Sequence, residues 1–162
     1  VRDGVVNGVS DSSLGLVQPV TRAEFSAMLV RALELETVGY QGEFPDVSGG
    51  AWYADAMATV KQYGILEGDA EGNASPDTVI TREQMAKTAV LALEKAKDIK
   101  PGDTPGPAFT DAGQISGWAA PYVAAAQSLG IMNGVEDGAF APQAEVPREQ
   151  AMVLVYRLRE KE

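Results

Sequence analysis

A chain of 162 residues with 45% hydrophobic content is long enough and apolar enough to bury a substantial core. It contains neither cysteine nor histidine, which excludes disulfides, thiolate metal sites and histidine-dependent hydrolysis, while catalysis by paired carboxylates remains open. Its net charge of −10 disfavours nucleic acid as a partner, and no apolar run approaches the ~20 residues of a membrane-spanning helix.

In chain order, the first feature is Gly4-Val5-Val6-Asn7-Gly8, then a polar loop, then Val20-Thr21-Arg22-Ala23-Glu24. Thr21 and Glu24 have capping-box spacing, and Phe25, Met28, Leu29, Ala32 and Leu33 trace one face, so a helix is expected from the arginine onward. A short connection over about 37–43 leads to Phe44-Pro45-Asp46-Val47. Beyond it, Trp52, Ala56, Met57, Val60 and Tyr63 are spaced as one helical face, and Gly64 suits the left-handed residue that closes a helix. A Gly-rich loop with Pro76 follows, and Ile80-Thr81-Arg82-Glu83-Gln84 opens the next helix, with a capping box between Thr81 and Gln84. Residues 97–108 hold three prolines and two glycines and read as a linker. Phe109-Thr110-Asp111-Ala112 then precedes a helix over 118–129, with Pro121 near its start and Gly130 at its end. The last loop closes with Phe140-Ala141-Pro142, and Val146-Pro147-Arg148-Glu149-Gln150 starts the final helix with proline in place of the hydroxyl cap.

These features are three copies of one pattern. Gly4-Val5-Val6-Asn7-Gly8 aligns without a gap on Gly64-Ile65-Leu66-Glu67-Gly68 and Gly130-Ile131-Met132-Asn133-Gly134, and an arginine follows 18 residues after each first glycine. Each tryptophan stands 12 residues before its glycine in the second and third copies. The first copy has no such block, because only three residues precede Gly4: a truncation, or a helix disordered or supplied elsewhere. It also has Leu14-Gly15-Leu16 where the third has Phe140-Ala141-Pro142. The expected fold is all-α: helix-loop-helix repeats over 1–40 (partial), 44–97 and 109–162, with a linker at 98–108.

The ordered set of motifs resembles the S-layer homology domain of bacterial surface proteins: the Phe-x-Asp block with its tryptophan, the Gly-Ile-x-x-Gly turn, the Phe-Ala-Pro loop end, and the Thr-Arg-Ala-Glu helix start. The resemblance covers nearly the whole chain, as one partial and two complete copies. It implies a pseudo-threefold bundle with grooves between repeats, and a secreted location at the cell wall or surface layer. It implies binding of a secondary cell-wall polymer through a pyruvylated amino sugar, with Arg22, Arg82 and Arg148 as the main contacts. Self-association in a surface layer is a further partner expectation.

Arginine suits such a ligand because its planar guanidinium offers two parallel donors to a carboxylate. A helix N-terminus adds unpaired amides at the same place, and a cation there runs against the helix dipole, so its recurrence points to function. The bland alternative is a structural ion pair with an acid of a neighbouring repeat. The candidate ligand-binding set is Arg22, Arg82, Arg148, Thr21, Thr81, Glu24, Gln84, Asp46, Asp111, Gly68, Gly134, Trp52 and Trp118, with no catalytic residue, metal or cofactor. Within it, Trp52 and Trp118 read first as core rings, and Asp46 and Asp111 as helix caps or loop braces. Gly8, Gly68 and Gly134 read as positions needing a positive φ. The loop acids Asp11, Glu71 and Asp137 invite a calcium reading. However, the segment Asp69-Ala70-Glu71-Gly72-Asn73 lacks the glycine and glutamate that an EF-hand loop requires. Two other classes stand behind the wall anchor: a repeat scaffold that binds protein through an exposed apolar patch, and a two-carboxylate glycosidase. The overall negative charge leaves recognition of an anionic polymer to short-range contacts.

Overall fold

The computed structural model describes residues 17–101 and 108–162. The first glycine motif with Gly8, the loop acid Asp11, Leu14-Gly15-Leu16 and the middle of the 98–108 linker lie outside the described residues. The fold is all-α. The helices are α1 (Arg22–Ala32), α2 (Ala54–Gln62), α3 (Arg82–Lys97), α4 (Ala120–Ser128) and α5 (Arg148–Glu160). Two short 3₁₀ turns, Ala112–Gln114 and Glu136–Gly138, sit in the loops.

The three long helices begin at the three arginines. Thr21 accepts from the Glu24 amide while Glu24 accepts from the Thr21 amide, and Thr81 and Gln84 repeat the exchange, so both capping boxes are formed. At α5, Pro147 gives no side-chain cap. Gly64 and Gly130 close α2 and α4 with φ of +77° and +71°, where a side chain would be strained.

At the centre, the residues preceding the helices meet. Val20, Ile80 and Val146 are each at most 1% exposed. The Val20 amide donates to the Val146 carbonyl (2.8 Å) and the Ile80 amide to the Val20 carbonyl (3.0 Å). Isolated antiparallel bridges pair Pro19 with Pro147, Thr21 with Val79, and Thr81 with Glu145. Three equivalent segments thus join around one pseudo-threefold axis, and α1, α3 and α5 radiate from it. On the outside, α2 packs on α1 and α4 on α3. Phe25, Leu29, Phe44, Met57, Met85, Leu93, Phe140 and Leu158 are almost fully buried between these layers.

Three expectations are corrected here. Trp52 and Trp118 are not core rings: they are 63% and 48% exposed. Each stands two residues before its helix, where 3.6-residue spacing no longer applies, and Phe44 fills the core position in the second repeat instead. Gly68 and Gly134 do not adopt positive φ; a Cβ there would lie 2.8 Å from the Gly72 backbone and 2.6 Å from the Ala139 carbonyl. Their requirement is room for the loop's own main chain. Finally, the helix N-termini are not open. Arg22 and Ala23 amides donate to Thr78 and Pro76 carbonyls, Arg82 and Glu83 amides to Ala144 and Pro142, and the Arg148 amide to Gln18. Each start is closed by the next repeat's loop, which leaves few amides for a ligand.

Candidate functional site

The arginines are fixed by what their helix starts touch. Arg22 Nε donates to the Ala74 carbonyl (2.8 Å) and Nη2 to the Glu67 carbonyl (3.4 Å). Arg82 repeats this with Phe140 and Asn133, both at 2.8 Å, and its guanidinium lies 4.9 Å from the Phe140 ring centre. Each arginine therefore staples its own helix to both ends of the following repeat's loop. These first-turn side chains are not on the surface: Arg82 is 8% exposed and Arg148 4%. Burial lowers the pKa of Arg22 and Arg82, with Asp46 and Asp69 opposing this at Arg22 and Asp111 at Arg82. Arginine's intrinsic basicity leaves both charged at neutral pH. Arg148 differs again, with Nη1 3.2 Å from Glu24, an ion pair between the first and third repeats that matches the bland alternative.

The loops are held from their far side by aspartates. Asp46 accepts from the Ala74 and Ser75 amides, and Asp111 from the Phe140 and Ala141 amides, at 2.7–2.9 Å. Ser75 and Ala141 are equivalent positions and both take positive φ (+51° and +57°), a strain that the aspartate hydrogen bonds hold in place. The Phe140 amide is the main cause that keeps the Asp111 carboxyl below its ordinary range. Asp69 is lowered chiefly by the Asn73 amide, since its carboxylate closes the tip of its own loop.

Among the described residues, two pseudo-equivalent grooves stand each between one repeat's arginine and the next repeat's loop and long helix. The first, of about 530 Å³, brings together four expected residues, Arg22, Gly68, Gln84 and Trp118. It adds Lys87, which the sequence reading missed. Lys87 lies three residues after Gln84 on α3, so helical spacing from that glutamine was the available signal. Its ammonium is 5.6 Å from the Trp118 ring centre and 5.7 Å from that of Tyr122. The groove thus has a half-exposed indole wall, two cations, the acidic residues Glu67 and Asp69, and polar groups from Asn73, Ser75, Thr78 and Thr88. This combination can receive a ring's apolar face while pairing with a carboxylate.

The second groove, of about 500 Å³, contains Arg82, Gly134 and Gln150, but Val153 and Leu154 stand where the first has Lys87 and Thr88. Among the described residues no aromatic side chain lines it. The remaining candidates lie outside both grooves: Thr21 and Thr81 serve as caps, Asp46 and Asp111 brace loops, Glu24 pairs with Arg148, and Trp52 stacks edge-on against Tyr53 at 5.3 Å. No helix among the described residues is long and apolar enough to cross a membrane.

Comparison with known proteins agrees with this architecture. The chain is 41% identical over 97% of its length to an amylopullulanase of Thermoanaerobacterium thermosulfurigenes, matching 8% of that protein. It is 32% identical over 95% of its length to the surface-layer 125 kDa protein of Lysinibacillus sphaericus (13% of that protein). With a cellulosome-anchoring protein of Acetivibrio thermocellus it shares 29% identity over 88% of its length (33% of that protein). The chain thus spans a small part of each relative. The S-layer homology domain profile matches residues 43–86 and 108–152, together more than half of the chain, and the chain belongs to that family.

Proposed function

We propose that this chain is a non-catalytic module that holds a longer extracellular protein on a bacterial cell-wall polysaccharide. One observation carries the reading: the Arg22 groove sets two cations, Arg22 and Lys87, beside the exposed Trp118 ring. That chemistry suits an anionic sugar, whose ring stacks on the indole while its carboxylate meets the guanidinium and ammonium. A pyruvylated amino sugar of a secondary wall polymer has these features. The names of relatives support the location: a surface-layer protein, a cellulosome-anchoring protein, and an amylopullulanase of which this chain matches only a small part. The enzymatic activity named for such a relative is that of a protein of which this chain matches only a small part.

The test is capture of the purified chain by bacterial cell walls before and after chemical removal of the secondary polymer. Capture that disappears with the polymer, and that Trp118→Ala or Lys87→Ala reduces at least ~10-fold with the fold intact, supports the reading. Equal capture by both walls would sink it.

A further inference from the structure

The third residue of each long helix faces the arginine that opens the preceding long helix around the axis, and the three junctions differ in what that residue is. Between the third and first repeats it is Glu24. Its Oε1 accepts from the Thr21 amide (2.9 Å), and its Oε2 lies 3.2 Å from Arg148 Nη1. One carboxylate thus closes a capping box and neutralises the neighbouring arginine. Between the first and second repeats the position is Gln84, which lines the Arg22 groove. Its Oε1 makes the same cap on the Thr81 amide (3.0 Å), which leaves a neutral Nε2 donor where Glu24 presents Oε2. Between the second and third repeats it is Gln150, in the Arg82 groove.

The other groups around Arg22 do not take its charge. Its Nε and Nη2 meet the Ala74 and Glu67 carbonyls, which are neutral acceptors. Asp46 is held by the Ala74 and Ser75 amides, and Asp69 by the Glu71 and Asn73 amides. A carboxylate at position 84 would be different. Placed as Glu24 is, it would pair with Arg22 and repel an arriving anion, and a group tethered there competes at high effective concentration.

We propose that Gln84 is a specificity-determining residue of the Arg22 groove: as a neutral amide it keeps the Arg22 charge available to an anionic sugar. Glu24 does the reverse, committing Arg148 to a tie between the first and third repeats. Three arginines that are alike in motif are therefore divided by the residue facing each of them. The proposal rests on the carbohydrate reading above.

The experiment measures capture of the purified chain and its variants by bacterial cell walls that carry the secondary polymer, with stripped walls as the control, beside the Tm of each variant. Gln84→Glu should lose at least ~10-fold in capture per folded molecule with Tm unchanged or raised, because the new carboxylate keeps the cap and pairs with Arg22. Gln84→Ala, neutral at the same place, should lose no more than ~3-fold. Glu24→Gln should lower Tm by about 2 °C or more and leave capture per folded molecule undiminished. Full capture by Gln84→Glu overturns the proposal. An equal loss in Gln84→Ala also overturns it, since shape rather than charge would then govern. So does a Glu24→Gln chain that keeps its Tm, or one that folds but no longer binds, because the Arg148 pair would then not be a structural tie. A wild-type chain captured equally by intact and stripped walls, or by neither, sinks the carbohydrate reading and this proposal with it, whatever the variants do.

Discussion

A cation in the first turn of a helix works against the helix dipole, yet Arg22 and Arg82 stand there in a similar geometry. The conflict is resolved away from the helix. Each guanidinium reaches two carbonyls at opposite ends of the next repeat's loop, and the helix gains a neighbour in place of a favourable dipole term. Arg82→Ala should therefore destabilise the protein by about 2–3 kcal/mol, the scale of hydrogen bonds to a charged donor left unmade at buried carbonyls, as measured by denaturant unfolding. Arg82→Lys should recover part of this, because a single ammonium cannot span both carbonyls. Trp52→Ala should behave in the opposite way. An indole 63% exposed has little to lose, and a change of less than about 1 kcal/mol is expected. The arginine positions were readable from spacing alone. Their partners were not, because main-chain carbonyls some fifty residues away leave no mark in side-chain pattern.

At the scale of elements, the helix starts and stops were largely legible. Capping boxes, closing glycines and Pro121 each act within four or five residues, so local sequence contains the whole interaction. Thr81→Ala should cost about 1 kcal/mol in chemical denaturation, as the loss of a single cap does elsewhere. The loops were less legible. Gly134 looks like a turn glycine, but its constraint is the Ala139 carbonyl 2.6 Å from where a Cβ would sit. Gly134→Ala should destabilise by about 1–3 kcal/mol through forced displacement of the loop, and a structure of the variant should show that shift. The tryptophans show the converse error, in which helical spacing extended two residues past the real start assigned exposed rings to the core.

At the scale of the whole molecule, two electrostatic features act together. The Asp111 carboxyl, held low mainly by the Phe140 amide, contributes stability that is complete above the ordinary carboxylate range near pH 4 and lost as pH falls through the depressed value. Acid unfolding should therefore steepen below about pH 4, and Asp111→Asn should flatten that part of the profile in a pH series of denaturation midpoints. The net charge of −10 gives no long-range attraction to an anionic polymer, so wall capture should tolerate moderate salt. Capture that collapsed between low and physiological ionic strength would show that attraction at a distance, rather than the Arg22 groove, governs binding.

The sequence by itself determined the repeat, its register, the helix starts, and hence the family, because each depends on residues close together along the chain. The tertiary structure alone decided how the repeats close on one another. The hub of Val20, Ile80 and Val146, the loop carbonyls that fill each helix start, and Lys87 beside Trp118 all join residues of different repeats. So too with the two described grooves: their arginines are alike in sequence, but the aromatic wall present in one of them, Trp118, comes from a third repeat, and only packing around the axis brings it there.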